Sequence, residues 1–176
     1  MGSPATQLSP SAGSTWVAAW RPTFLFVAAF AVNSTPHEFA HAVTAYLLGF
    51  SSTVFQMWVD PNTAGATPGQ LAAIAAAGPI FSLTLGVFGW TLYRWRFRQR
   101  PSGLIFLMLA IVGIYAFLGP MSVAALGGDF NRTLTFLNWP KTAVIVVSGA
   151  GLVALPTFMF FMGRELVWWA PLVSVA

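Results

Sequence analysis

QLAAIAAAGPIFSLTLGVFGWTLY, residues 70–93, runs for 24 positions without one Asp, Glu, Lys or Arg. As an α-helix it would be about 36 Å long, enough to cross the ~30 Å hydrocarbon core of a bilayer. Two more uncharged runs follow, 27 residues at 102–128 and 22 at 142–163, each able to span once. An apolar stretch at 22–50 precedes them, interrupted by Asn33-Ser34-Thr35-Pro36-His37-Glu38 and by His41. As unbroken helix that stretch would extend about 43 Å, so a break or strong kink is expected at 33–36. Together these segments predict an all-α polytopic membrane protein with about four transmembrane helices. Between the first two, 51–69 mixes β-branched and aromatic residues with the turn signal Asp60-Pro61-Asn62. A short β-hairpin or interfacial loop is expected there.

Composition agrees. Of 176 residues, 57% are hydrophobic and 7% charged, against about a quarter charged in soluble domains, which excludes a soluble globule. The excess of eight basic over four acidic residues is too sparse for a nucleic-acid-binding face, so the expected partner is the lipid bilayer, not nucleic acid. Residues 1–15, small and polar with two prolines, read as an N-terminal tail, and 16–176 as a single membrane-embedded core. Arg94, Arg96, Arg98 and Arg100 crowd the end of the 70–93 run, and with Arg21 and Arg164 they outnumber Arg132 and Lys141 by six to two across a four-span topology. Positive loops stay cytoplasmic, which predicts cytoplasmic termini and gives the arginine cluster a role in topology and lipid-headgroup contact.

The chemistry concentrates in His37-Glu38-Phe39-Ala40-His41. Four residues apart on a helix, the two imidazoles differ by about 40° in azimuth and can grip one ion. Neutral imidazole suits Zn²⁺, and the glutamate between them can act as general base on water, which is the mechanical content of the HExxH motif. Zinc lowers the pKa of a water it holds to about 7 and polarises a carbonyl. Two histidines and a glutamate scattered at random would produce this pattern roughly once in ten thousand sequences of this composition. Thr35-Pro36-His37-Glu38 also fits a helix-capping box, but a cap explains neither histidine, and ionisable groups inside a membrane are costly unless they function.

A catalytic zinc needs a third protein ligand. The chain has no Cys and no third His, so the ligand is a carboxylate or a weaker oxygen. Glu165, beside Arg164 at the end of the last span, reads as interfacial, and Asp60 as part of a turn. Asp129, after Gly127-Gly128, ends a long apolar run where two glycines can break the helix and admit a carboxylate to the membrane interior. Asp129 is therefore the expected third ligand, with an N-cap of the following stretch as its alternative.

Three pieces resemble the site-2 protease family of intramembrane zinc metalloproteases: HEFAH at 37–41, the Ala77-Gly78-Pro79-Ile80-Phe81-Ser82 stretch, similar to the family's AGPxxN, and Gly128-Asp129, standing where an LDG aspartate completes the zinc site. Together they cover roughly residues 30–135. Ser82 stands where the family has Asn, and Asp129 is flanked by Gly-Gly and Phe. The resemblance implies His37, His41 and Asp129 as zinc ligands, Glu38 as catalytic base, and a transmembrane segment of another protein as substrate. Such a substrate must unwind locally to expose its carbonyls, and 51–59, if extended, could pair with it as an added strand. The rival readings are a catalytically silent relative that binds a partner, and a metal-handling membrane protein. The latter gives Glu38 no required place.

Overall fold

The computed structural model describes residues 12–55 and 58–173. It is built of five helices and one small hairpin: α1 (Ala12–Leu47), β1 (Ser52–Val54), β2 (Val59–Pro61), α2 (Pro68–Leu92), α3 (Gly103–Ser122), α4 (Gly128–Phe136) and α5 (Lys141–Val173). The architecture is all-α and polytopic. Among the described residues three helical stretches are long and apolar enough to cross a membrane: Pro68–Phe97, Gly103–Ser122 and Lys141–Trp169.

The first expected span, 22–50, is one continuous helix as far as Leu47. The chain neither breaks nor ends at 33–36, because α1 runs through both Pro22 and Pro36 as one helix of 36 residues. Pro36 deprives the Val32 carbonyl of its intrahelical donor. Packing along α2 and α3 holds α1 helical on both sides of that loss. The polar run Asn33–Glu38 dilutes its apolar character, and α1 is not among the three spans. Residues 12–15, expected in the N-terminal tail, belong to α1, which begins at Ala12; residues 1–11 lie outside those described.

Helix α2 is the hub, packed against α1, α3 and α4. It starts at a capping box in which the Thr67 side chain accepts from Gln70 N and the Gln70 side chain accepts from Thr67 N, with Pro68 in the first turn. It crosses α3 at Gly86 and Gly113, where a β-carbon on Gly86 would lie 2.6 Å from Ile114 N and one on Gly113 would lie 2.5 Å from Gly86 N. Bare backbones make that approach possible, as is usual where helices associate without water to drive them. Nearer the start of α2, Ala72 is buried and Ala73 exposed. Helices α2, α3 and α5 continue through Pro79, Pro120 and Pro156.

At its C-terminal end α2 passes into a π-helical turn, Tyr93–Phe97, which carries the arginines. Tyr93 is fully buried there and donates to Glu165 Oε2 (2.8 Å), while Trp169 Nε1 donates to Tyr93 Oη (3.1 Å). The arginine-rich end of α2 and the C-terminal part of α5 therefore share one end of the bundle. The apolar core follows the same path, from Ala29 of α1 through Leu107, Met108 and Val112 of α3 to Met162 and Trp169 of α5.

The hairpin is present: β1 and β2 pair antiparallel with Thr53 opposite Asp60. Next to the strands, Phe55 N donates to Trp58 O and the two rings stack at 4.1 Å. Asp60 is thus a strand residue of β2, not a turn residue. The third run stops at Ser122, earlier than 128, and the chain re-enters as the short α4 after Gly127 (φ 142°) and Gly128 (φ 82°). Those left-handed glycines supply the expected helix break.

Candidate metal centre

Helix α1 presents Asn33, His37 and His41 at four-residue intervals, one turn above another on the side packed into the bundle. His41 is buried; its Nδ1–H donates to the Ile74 carbonyl of α2 at 2.6 Å. A carbonyl oxygen only accepts, so that contact puts the proton on Nδ1 and leaves Nε2 with a free lone pair. His37 Nδ1 lies 2.9 Å from the hydroxyl of the fully buried Ser82, also on α2. Both rings are thus held by their outer nitrogens, as metal-bound imidazoles are. The ring centroids are 5.1 Å apart with planes at 75°.

Asp129 reaches the same point from α4. Its Oδ2 lies 3.4 Å from His37 Nε2 and 3.5 Å from His41 Nε2. These separations are long for hydrogen bonds but match the edge of a tetrahedron about 2.05 Å from centre to corner, roughly 3.3 Å, which is the spacing of ligands around zinc. One donor atom from each residue lies within 4.8 Å of the other two, so His37, His41 and Asp129 could hold a metal ion. The N-cap alternative for Asp129 does not describe the chain, because the cap of α4 is Gly127 and Asp129 lies in the first helical turn.

The wall behind the nitrogens is bare backbone. A β-carbon built on Gly78 would sit 2.5 Å from His37 Nε2 and closer still to His41 Nε2, occupying space that the two nitrogens border. Spacing alone does not reveal this role: the Gly78-Pro79 pair is legible as part of a motif, whereas its approach to the imidazoles exists only once α1 and α2 pack. Ser82 was likewise visible only as a departure from Asn, and Ile74 gave no signal at all.

Glu38, His41 and Asp129 line one cavity of about 430 Å³ together with Trp58, Val59 and Pro61 of the hairpin region. Glu38 and two of the three candidate ligands, His41 and Asp129, therefore share a chamber large enough for a peptide segment. Arg132, three residues past Asp129, brings a guanidinium to the lining. Asn131 lies elsewhere: its Nδ2 donates to Ala124 O at 2.8 Å, bracing the turn before α4. Glu165 and Asp60 take no part in the cluster. Glu165 pairs with Arg94 and Arg98, and Asp60 lies on β2.

Comparison with curated proteins and with solved structures finds no match. A family model, Peptidase M50B-like, matches residues 12–147, a stretch that contains α1 with its histidine pair, the hairpin, all of α2 and α3, and the aspartate of α4. That match covers well over half of the chain and includes all three metal-ligand candidates, and we conclude that the chain is a membrane protein belonging to the Peptidase M50B-like family of site-2-protease-type metallopeptidases.

Proposed function

We propose that this protein is a zinc-dependent intramembrane endopeptidase that hydrolyses a peptide bond in or next to a transmembrane segment of a substrate protein. The observation that carries this reading is the placement of Asp129 Oδ2 at tetrahedral-edge spacing from both imidazole Nε2 atoms, with Glu38 in the cavity that His41 and Asp129 line. Two neutral imidazoles and one carboxylate form a donor set suited to Zn²⁺, with a coordination position left over. Zinc held there supplies Lewis-acid polarisation of the scissile carbonyl and makes water acidic enough to attack near neutral pH.

The chain's own residues do the rest. Glu38 takes the proton from the attacking water and delivers it to the departing amine, so one carboxylate serves both halves of the reaction. Ile74 and Ser82 fix the imidazole orientations, and Gly78 leaves room between the rings and α2. Trp58, Val59 and Pro61 put the hairpin at the cavity wall, where a free strand edge can hold an unwound substrate backbone. We read the arginine-bearing end of the bundle as cytoplasmic, because Arg94, Arg96, Arg98 and Arg100 gather there with Arg164.

The test is Glu38→Gln in the full chain, reconstituted in vesicles with a panel of single-span peptides. Retained zinc with cleavage lowered at least a hundredfold is expected. A well-folded variant that still cuts at the wild-type rate would refute Glu38 as base. A zinc-loaded wild type that cuts no member of the panel would favour a silent, partner-binding relative.

A further inference from the structure

At the opposite functional pole, the π-helical end of α2 and the C-terminal part of α5 enclose a second cavity of about 430 Å³, lined by Trp90, Arg98, Met162, Arg164, Glu165 and Trp168 among others. Its electrostatics are unbalanced. Glu165, the only carboxylate lining it among the described residues, is already engaged: Oε1 faces Arg94 Nη1 at 3.4 Å and Arg98 Nη2 at 3.3 Å, and Oε2 accepts from Tyr93. One negative charge against Arg94 and Arg98 leaves a surplus of one, and Arg164, which has neither ion pair nor hydrogen bond among the described residues, raises it to two. Arg98 has donor capacity to spare, because its Nε is buried and has no hydrogen-bond partner. Indole faces flank the cations: Arg98 lies 5.5 Å from the Trp168 ring centroid and Arg94 5.6 Å from that of Trp90. Tryptophan over arginine is the furniture of a headgroup region.

The apolar surroundings continue the same shape. On the other side of Arg164 a second hollow of about 440 Å³ is lined by Met159, Phe160, Gly163 and Val167 of α5. Arg164 thus borders two largely apolar hollows, one with Phe161 and Met162 and one with Phe160 and Val167. A soluble anion would use the cations and leave both hollows empty, whereas a diacyl lipid would use all three.

We propose that this end of the bundle binds one anionic phospholipid, its phosphate on Arg98 and Arg164 and its acyl chains in the hollows on either side of Arg164. A zwitterionic lipid offers the same tails but brings its own cation to a site with surplus positive charge. The net charge of the lipid is therefore the discriminating variable.

The experiment is native mass spectrometry on the full chain in detergent, titrated in parallel with phosphatidylglycerol, phosphatidylcholine and inorganic phosphate. One phosphatidylglycerol per chain is expected to persist under conditions that strip phosphatidylcholine. Arg164→Gln is expected to weaken it about fivefold. Arg96→Gln removes the same charge from an exposed position outside both hollows and is expected to leave binding unchanged. Equal loss in the two variants would mean diffuse attraction and overturn the site. Equal retention of phosphatidylcholine would overturn it too, and inorganic phosphate binding as tightly as the lipid would overturn the acyl hollows. Unchanged unfolding temperatures keep the variants comparable. Because Arg164 lies far in sequence from the metal ligands and lines no part of their cavity, the result does not depend on whether the protein cleaves peptides.

Discussion

Replacing Gly78 by Ala tests the metal centre by adding a single methyl. At an unencumbered interior helix position Gly→Ala stabilises by about 1 kcal/mol, so the variant is not expected to unfold. Here the methyl would stand 2.5 Å from His37 Nε2, about 0.9 Å inside a normal contact of roughly 3.4 Å, and nearer still to His41 Nε2. Ligand distances in a metal site tolerate deviations of about 0.2 Å, so a retreat of that size by either ring removes a ligand. The imidazoles cannot retreat freely, since Ile74 and Ser82 hold their Nδ1 atoms. Loss of one of three protein ligands is expected to lower zinc affinity by at least a hundredfold, near the upper end of what even second-shell losses produce. Zinc content of the purified full chain, measured by atomic emission after exposure to a graded chelator, reads the effect. Gly69→Ala, on the same helix with nothing within 4 Å of the added carbon, is the matched control and is expected to keep its zinc. Wild-type zinc retention in Gly78→Ala would refute the placement of α2 against the imidazoles, and the proposed centre with it.

Three further outcomes follow from the same geometry. Asp129→Ala removes the one carboxylate of the cluster and is expected to abolish stoichiometric zinc; unchanged occupancy in a folded variant would mean another oxygen completes the site. Ser82→Ala leaves His37 Nδ1 without its partner and is expected to weaken zinc 10- to 100-fold while leaving the fold intact, checked by metal titration beside thermal unfolding. Asn33→Leu, of similar volume, replaces a 3%-exposed amide whose Oδ1 is buried without a hydrogen bond, and is expected to stabilise the protein by about 1–2 kcal/mol in detergent unfolding; destabilisation would show that a bound water or group satisfies that oxygen.

What the sequence disclosed divides along a physical line. His37, Glu38 and His41 were legible because helical periodicity alone brings them together. Asp129 lies 88 positions beyond His41 and was reached by chemical elimination, since Cys was absent and the other acids had interfacial or turn surroundings. Of the expected break or strong kink in α1, the break is absent because proline propensity is a local cost that packing against two helices outweighs. The Thr67-to-Gln70 capping box was written in the sequence yet overshadowed by the apolar run it introduces. Gly78, Ile74 and the Gly86–Gly113 crossing could not be read at all, because their roles depend on which helix stands opposite, and no periodicity within one helix carries that information.

The two left-handed glycines ahead of α4 give the cluster an asymmetric ancestry. Two of its donors are fixed by a single rigid rod, whereas the third rides a nine-residue helix attached through Gly127 and Gly128. Capturing an ion and seating that short helix are then one thermodynamic event, so any agent that pries α4 away must loosen the ion by the same free energy, and a chelator must in turn free α4.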